Sequence, residues 1–288
     1  MTGAIDALPA TLGVVGGGRM GSGIAHAFLV AGTAVQLVEA DQAAGARAQD
    51  AVARAVRASA ERGTLRTPID ETLGRLRIVG TIDELAAAEL VVEAVPESIE
   101  LKLSILGEVA AAVTADAVIA TNTSSFSVTE LSAAVPSPER FLGLHFFNPV
   151  PASKLIEVVA GAFTAEAAVT TAQQWAAALG KTAVTVQDSP GFASSRLGVL
   201  LGLEAIRMVE EGVAAPVDID AAMTLGYGHP MGPLRLTDVV GLDVRLGVAD
   251  YLAGKLGPRF AAPRLLRDMV SRGHTGRKSG RGFFDWTD

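Results

Sequence analysis

Residues 11–39 decide the predicted fold and read TLGVVGGGRMGSGIAHAFLVAGTAVQLVE. An apolar run leads into a glycine-rich turn, an alanine-rich segment follows, and a second apolar run ends at Glu39. This order predicts a strand, a tight turn, a helix and a second strand with an acid at its tip. Gly16, Gly18 and Gly21 occupy the glycine positions of the GxGxxG pattern, which is typical of doubly wound α/β domains.

The glycine pattern predicts a dinucleotide site, because each glycine has a separate physical role. The first permits the tight turn, the second lets the backbone approach a pyrophosphate, and the third allows close packing of a helix whose N-terminus offers N–H groups. Glu39 is expected to bond the adenosine ribose hydroxyls and to repel a 2′-phosphate, which favours NAD over NADP. Asp41 is the alternative ribose acid, unless it caps the next helix. The predicted pyrophosphate turn comprises Gly16, Gly17, Gly18, Arg19, Met20 and Gly21.

Apolar runs and helical segments continue to alternate as far as residue 186, which indicates a parallel sheet with helices on both faces. The pattern changes at DSPG, residues 188–191, and only helical patterns follow. The predicted fold class is therefore α/β. Residues 1–190 are expected to form a Rossmann-type, mostly parallel sheet, and residues 191–288 a smaller all-helical C-terminal domain for substrate binding and dimerisation.

Composition narrows the possible functions. Of the 288 residues 49% are apolar and 19% are charged, which predicts a well-packed globular protein. The absence of cysteine excludes disulfides, thiolate metal sites and cysteine nucleophiles, and the four histidines show no metal-ligand spacing. A net charge of −7 argues against nucleic acid as a partner. No secretion signal or membrane-length apolar run is evident, so a soluble, cytoplasmic protein is expected.

A second stretch carries candidate acid–base chemistry. Apolar runs at residues 141–147 and 154–159 are joined by the turn residues 148–151, and each run contains one ionisable side chain, His145 or Glu157. A half-buried imidazole opposite a carboxylate would make a general base near neutral pH. A structural histidine whose carboxylate lies elsewhere is the alternative, and the residues alone leave both open.

Two helical segments suggest surfaces for binding. Residues 41–62 form a predicted helix rich in arginine, including Arg54 and Arg57, within an acidic protein. These arginines form either a solvated face of the helix or a binding surface for a phosphorylated ligand. The helix predicted over residues 192–211 is so apolar that we expect the C-terminal domain to form a homodimer.

Six blocks of sequence carry a resemblance to a known family: GGGRMG at 16–21, NTSS at 122–125, GLHFFNPVP at 143–151, DSPGF at 188–192, GYGHPMGP at 226–233 and GRGFF at 280–284. The chain closely resembles the L-3-hydroxyacyl-CoA dehydrogenases, and in particular the single-function bacterial 3-hydroxybutyryl-CoA dehydrogenases. The resemblance implies an enzyme that reversibly oxidises the 3-hydroxyl of an acyl-CoA with NAD, on short chains such as 3-hydroxybutyryl-CoA.

The resemblance implies roles for the residues that would meet the substrate. His145 matches the catalytic base and Glu157 the carboxylate that orients it. Ser124 matches a serine that bonds the substrate near the reacting oxygen and lies next to the cofactor; otherwise it is a turn residue at a strand end. Arg54 and Arg57 lie in the region where the family holds the CoA moiety.

The resemblance also implies cofactor contacts outside the glycine turn. Asn148 matches a contact near the nicotinamide, which is compatible with an Asx turn before a proline. Glu97 and Lys102 match contacts around the nicotinamide ribose, although the residues alone predict a helix start at the surface and a solvated lysine. Lys278 matches a lysine of the C-terminal tail, and Glu39 stands where the family more often has aspartate.

One departure from the family pattern bears on activity. Ser195 stands where the family typically has an asparagine whose amide contacts catalytic groups and the substrate oxygen, and serine is shorter with one donor in place of two. Ser195 leaves one alternative open, a non-catalytic relative that binds NAD or acyl-CoA. A second alternative is a dehydrogenase of a free hydroxy acid or sugar acid, because related proteins on this scaffold act on such substrates.

Overall fold

The computed structural model of the chain describes residues 8–286. It divides into two compact units, Met1–Asp188 and Ser189–Asp288. The expectation about a secretion signal concerns the start of the chain, where residues 1–7 lie outside the described range. Within that range, none of the helices combines the length and apolar character that crossing a membrane requires.

The first unit contains one sheet of eight strands in the order β3-β2-β1-β4-β5-β6-β7-β8. All neighbours are parallel except β6 and β7, which are antiparallel. Strands β4, β5 and β6 are buried along their whole length, which explains their uninterrupted apolar runs. The predicted fold class is confirmed. The strands are β1 (Thr11–Val15), β2 (Ala34–Val38), β3 (Leu76–Val79), β4 (Leu90–Glu93), β5 (Val118–Thr121), β6 (Phe141–Phe146), β7 (Leu155–Ala160) and β8 (Thr182–Gln187).

Six α-helices connect the strands of this unit. Buried side chains of the first two, among them Phe28 and Val52, form the core against β1 and β2. The second helix begins at Asp41, whose carboxylate accepts a hydrogen bond from the Ala44 N–H, so Asp41 is the N-cap. The helices are α1 (Arg19–Ala31), α2 (Gln42–Glu61), α3 (Ile69–Leu73), α4 (Ile99–Ala112), α5 (Val128–Leu131) and α6 (Glu166–Ala178).

The strand order places the functional candidates of this unit at one edge of the sheet. Strands β1, β4, β5 and β6 run in the same direction, so their carboxyl ends lie side by side. The order reverses between β1 and β4, and open α/β sheets bind ligands at such a reversal.

The second unit is built from five α-helices. Leu203, Ile206, Leu234 and Leu252 are fully buried in its core. Buried Asp238 fixes the C-terminal segment by accepting hydrogen bonds from the backbone N–H groups of residues 283 and 284. The helices are α7 (Ser194–Glu210), α8 (Pro216–Tyr227), α9 (Pro233–Val240), α10 (Leu242–Leu256) and α11 (Arg264–Ser271).

Candidate active site

The antiparallel pairing of β6 with β7 brings His145 and Glu157 together. The register sets the two residues directly opposite one another, so their side chains project from the same face of the sheet. The His145 Nδ1 lies 2.7 Å from the Glu157 Oε2. Both side chains are buried, with 7% and 1% of their surfaces exposed. The carboxylate of the pair is therefore across the hairpin and not elsewhere in the chain.

A carboxylate on one imidazole nitrogen decides which nitrogen can exchange a proton. Glu157 can only accept when ionised, so the Nδ1 of His145 carries hydrogen and Nε2 is the nitrogen suited to acid–base chemistry. The Phe147 ring packs 4.3 Å from the imidazole, centroid to centroid, which further fixes its orientation. The pair has the geometry of an oriented general base.

The loop after β5 is tied to both neighbouring strands. The Asn122 Oδ1 accepts a hydrogen bond of 2.9 Å from the Phe146 N–H, at the end of β6. On the other side, the Glu97 Oε1 accepts from the Thr123 hydroxyl and, at 3.2 Å, from the Ser124 N–H. These bonds hold half-buried Ser124 at the carboxyl edge, next along the sheet to the strand that carries the histidine.

Behind this loop lies a buried ionic cluster that the sequence patterns did not reveal. The Lys102 Nζ lies 2.8 Å from the Glu93 Oε1 and 3.4 Å from the Glu97 Oε2. Glu93 also accepts from the Thr121 hydroxyl and the Val95 N–H. The Lys102 and Glu93 side chains are fully buried. The interpretation of Lys102 as a solvated lysine is therefore wrong: its stem is enclosed and its charge is paired.

Glu93 is the site residue that the sequence interpretation missed. It is the last residue of β4, where an acid closes an otherwise apolar strand. An ionisable group at the carboxyl end of a buried parallel strand was the available signal. Its partner Lys102 is nine residues away on a separate element, so no helical or strand spacing links the two.

The glycine turn between β1 and α1 lets both α1 and a ligand approach its backbone closely. Gly16 has a φ of +95°, which disfavours any residue with a Cβ. A Cβ on Gly21 would lie 1.8 Å from the Gly16 carbonyl oxygen, so α1 can pack on the turn only with glycine there. A Cβ on Gly18 would meet no atom within 4 Å, which leaves that part of the turn open to a ligand.

A cleft of about 980 Å³ opens beside the turn. At its wall the Glu39 carboxylate accepts hydrogen bonds from the Gly17 N–H at 2.6 Å and the Ala40 N–H at 3.2 Å, so it is held beside the turn. No side chain of the described residues caps α1, and its first N–H groups face this turn. The cleft's volume and donors fit a dinucleotide. Its lining includes Gly16, Gly18, Arg19, Met20, Glu39 and Pro96.

Comparison with family models decides the classification. Residues 11–189 match the model described as "3-hydroxyacyl-CoA dehydrogenase, NAD binding domain", and residues 191–286 match the C-terminal domain of the same family. The chain belongs to the 3-hydroxyacyl-CoA dehydrogenase family. Because the first match is to the family's NAD binding domain, the cofactor of this dehydrogenase is NAD.

Individual relatives cover nearly the whole chain. It is 41% identical to a 3-hydroxybutyryl-CoA dehydrogenase of Mycobacterium tuberculosis, over 96% of this chain and 98% of the relative. A probable 3-hydroxybutyryl-CoA dehydrogenase of Bacillus subtilis is 39% identical, over 96% of each chain. The crystal structure of (S)-3-hydroxybutyryl-CoA dehydrogenase from Ralstonia eutropha superimposes with a TM-score of 0.93 at 37% identity, covering 98% of this chain and all of that one.

The remaining predicted residues lie in several places. Arg54 and Arg57 are exposed on α2, and among residues 8–286 neither takes part in an ion pair. Asn148 is exposed two residues after the end of β6, and its side chain bonds to no described residue, so no Asx turn forms. Ser195 is half-buried in the first turn of α7, in the second unit.

Lys278 also belongs to the second unit. Its Nζ lies 2.5 Å from the Asp243 Oδ2, and about half of its side chain is exposed. Although burial alone would raise it, the pKa of Asp243 is lowered by the hydrogen bond and charge of Lys278. Lys278 therefore has an anionic partner within its own domain.

Proposed function

We propose that the protein catalyses reversible NAD-dependent oxidation of L-3-hydroxyacyl-CoA to 3-oxoacyl-CoA, on short chains such as 3-hydroxybutyryl-CoA. The observation that carries the proposal is the buried pair of His145 and Glu157, 2.7 Å apart, at the ligand-binding edge of an NAD binding domain. The names of the M. tuberculosis and R. eutropha relatives support the short-chain thioester as substrate.

In the proposed mechanism the side chains of the protein transfer one proton. Bound NAD supplies the hydride acceptor for carbon 3. The His145 Nε2 takes the proton of the 3-hydroxyl, and Glu157 stabilises the resulting imidazolium through Nδ1. In reverse, the imidazolium returns this proton to the carbonyl oxygen. Ser124 donates a hydrogen bond to the same oxygen, and Ser195 takes the place of the family amide as a second donor.

The cofactor contacts follow from the cleft. The glycine turn with Arg19 and Met20 holds the pyrophosphate, and the Glu39 carboxylate takes the ribose hydroxyls and repels a 2′-phosphate. Glu97, Asn148 and Lys278 contact the nicotinamide end. Buried Lys102 contributes by holding the Glu97 carboxylate, which lies within 3.4 Å of its ammonium group.

Partners and location complete the proposal. Exposed Arg54 and Arg57 offer unpaired positive charge for the phosphates of CoA. The helical domain forms a homodimer and the enzyme acts in the cytoplasm. Several large apolar side chains exposed in that domain support dimerisation: Leu197, Val213, Val217, Leu225 and Tyr227.

The decisive experiment follows NADH oxidation with acetoacetyl-CoA, and with free acetoacetate as the comparison. The proposal expects turnover of the thioester, far slower turnover of the free acid, and a much lower rate with NADPH. His145→Gln should lower kcat by about 100- to 10,000-fold, because a general base is lost. NADH binding, followed by fluorescence, should persist in this variant.

His274→Gln, which removes a histidine of the helical domain, is the matched control and should keep the wild-type rate. Turnover of acetoacetate but not of the thioester would favour a free hydroxy-acid dehydrogenase. NADH binding without turnover of either would favour a non-catalytic relative. Equal rates for His145→Gln and wild type would remove the base assignment.

A further inference from the structure

Helix α10 carries a buried arginine that nothing in the proposed reaction uses. Arg245 is only 6% exposed, and among residues 8–286 its side chain forms neither an ion pair nor a hydrogen bond. Burial lowers the pKa of Arg245 to about 10, but the guanidinium stays charged at neutral pH. Burying a charge without a partner is costly, so such a group is rarely kept without a ligand.

The neighbouring carboxylates are bonded to other groups. Asp243 pairs with Lys278, and Asp250 pairs with Arg267. Asp238, on the adjacent helix α9, accepts hydrogen bonds from the backbone of the C-terminal segment. No carboxylate of these helices therefore neutralises Arg245.

Two glycines on α7 make the space that the guanidinium occupies. A Cβ built on Gly202 would lie 3.5 Å from the Nε of Arg245, and one on Gly198 would lie 3.7 Å from its Nη1. Gly202 is buried, whereas Gly198 is half-buried. The Nε of the guanidinium thus lies beside the buried glycine, and Nη1 lies beside the half-buried one.

Of the two glycines, the half-buried Gly198 lies nearer to Ser195 along α7. Ser195, Gly198 and Gly202 are spaced i, i+3 and i+7, so they share one face of the helix. Gly198 lies about 4.5 Å along the axis from Ser195, since an α-helix rises about 1.5 Å per residue. A ligand atom bonded to Ser195 is therefore separated from the guanidinium by the length of a few carbon–carbon bonds.

We propose that Arg245 and the glycine face of α7 form a subsite for a carboxylate at the far end of the acyl chain, so that ω-carboxylated 3-hydroxyacyl-CoA thioesters are substrates in addition to the short-chain ones. This rests on the proposed function, because it takes Ser195 as the residue beside the reacting oxygen. A guanidinium is the side chain best suited to a carboxylate, which it can bind through two parallel hydrogen bonds. A six-carbon dicarboxylic chain places its carboxylate three carbons beyond the reacting carbon.

Steady-state kinetics with two thioesters test the subsite. The ratio of kcat/KM for 3-oxoadipyl-CoA to that for acetoacetyl-CoA should exceed one in the wild type. Arg245→Met should lower this ratio by about 10- to 100-fold, the usual worth of a charge-assisted hydrogen bond. Arg272→Met removes an exposed charge from the same domain and should leave the ratio unchanged. An unchanged ratio in Arg245→Met overturns the proposal.

A binding measurement without cofactor separates this inference from the proposed function. Adipate should raise the melting temperature of the wild type more than 1,6-hexanediol in matched salt does, and this difference should vanish in Arg245→Met. If neither thioester is turned over, the proposed function fails while the adipate shift still reports the anion site. If Arg245→Met changes the oligomeric state and keeps the wild-type ratio, the anion is a carboxylate of a second copy, and the subsite proposal is wrong.

Discussion

Lys102 and Arg245 are both cations enclosed in the protein, one in each unit, and their surroundings are opposite. Lys102 lies within 3.4 Å of two carboxylates, one of which is fully buried with it. Arg245 is 6% exposed and has no carboxylate partner among the described residues. The first charge is compensated within the folded chain and links three elements of the sheet edge. The second is uncompensated, which is the state expected of a group that awaits an anion.

The difference shows that the partners of a buried charge indicate whether it serves the structure or a ligand. A compensated ion pair helps to fix the shape of the fold, as Glu93 does here by bonding both Lys102 and the Thr121 hydroxyl. An uncompensated ion reduces stability, and that cost is recovered only when a ligand arrives. Substitutions of the two cations should therefore change stability in opposite directions.

Lys102→Met should produce the largest change in stability. Removing the ammonium group leaves Glu93 buried without a counterion, so the free energy of unfolding should fall by about 3–5 kcal/mol. Urea unfolding at neutral pH measures it, with exposed Lys154→Met as the control that should change little. Adding Glu93→Gln to Lys102→Met should restore part of the loss, since the orphaned charge disappears. A double variant less stable than the single one would contradict the pairing.

Arg245→Met should stabilise the protein, the opposite of the effect of Lys102→Met. The pKa of Arg245, which burial lowers to about 10, reflects a destabilised charge, so its removal should raise the free energy of unfolding by up to about 3 kcal/mol. Urea unfolding without substrate measures the gain. A loss of stability comparable to that of Lys102→Met would mean that Arg245 is compensated after all.

His26 differs from both Lys102 and Arg245, because it is a buried ionisable group that stays neutral. It is 3% exposed and lies 2.9 Å from the Ser59 hydroxyl, and burial and the charge of Arg62 lower its pKa from 6.5 to about 4. The unfolded chain therefore binds a proton first as the pH falls. At about pH 5 this should cost about 2 kcal/mol of stability relative to neutral pH. In urea unfolding, the stability of His26→Gln should fall less steeply with decreasing pH than that of the wild type. Equal slopes would show that His26 does not cause this loss of stability.

Glu97→Gln should have the smallest effect on stability. The Glu97 side chain is 37% exposed, and glutamine keeps an oxygen acceptor for the Ser124 N–H. The expected loss is below about 1 kcal/mol, because Glu93 still neutralises Lys102. The KM for the thioester should rise more than kcat falls, since the loop that carries Ser124 is less firmly held. A loss as large as that of Lys102→Met would show that the cluster depends on the outer carboxylate.

Local patterns predicted the parts of the fold and site that local chemistry determines. The GxGxxG turn with its flanking apolar runs predicted β1, α1 and β2, because turn, helix and strand each leave their own periodicity. His145 and Glu157 stood out because each interrupts an apolar run. Their contact depends on the register across a hairpin, which those runs also specify.

Contacts between elements distant in sequence were not predictable in the same way. The pairing of Glu93 with Lys102 joins the end of a strand to a helix on another layer, and no spacing rule connects them. Likewise, Arg245 looks like an ordinary helical arginine until the glycines of α7 are seen to enclose it. Burial of a charge is a property of packing, which a single sequence records only indirectly.

The pairing of β6 with β7 has a consequence for how this family can change in length. His145 faces Glu157 because four consecutive residue pairs fix the two strands. Part of the connection is also held in place, since Phe147 packs on the imidazole and Val150 is buried in the core. Insertions at the exposed residues 151 and 152 would therefore leave both the strand register and the Phe147 contact in place. A one-residue deletion inside either strand would turn its later side chains to the opposite face. The hairpin can thus change in length at its exposed tip, whereas the contact between imidazole and carboxylate requires the register of the two strands.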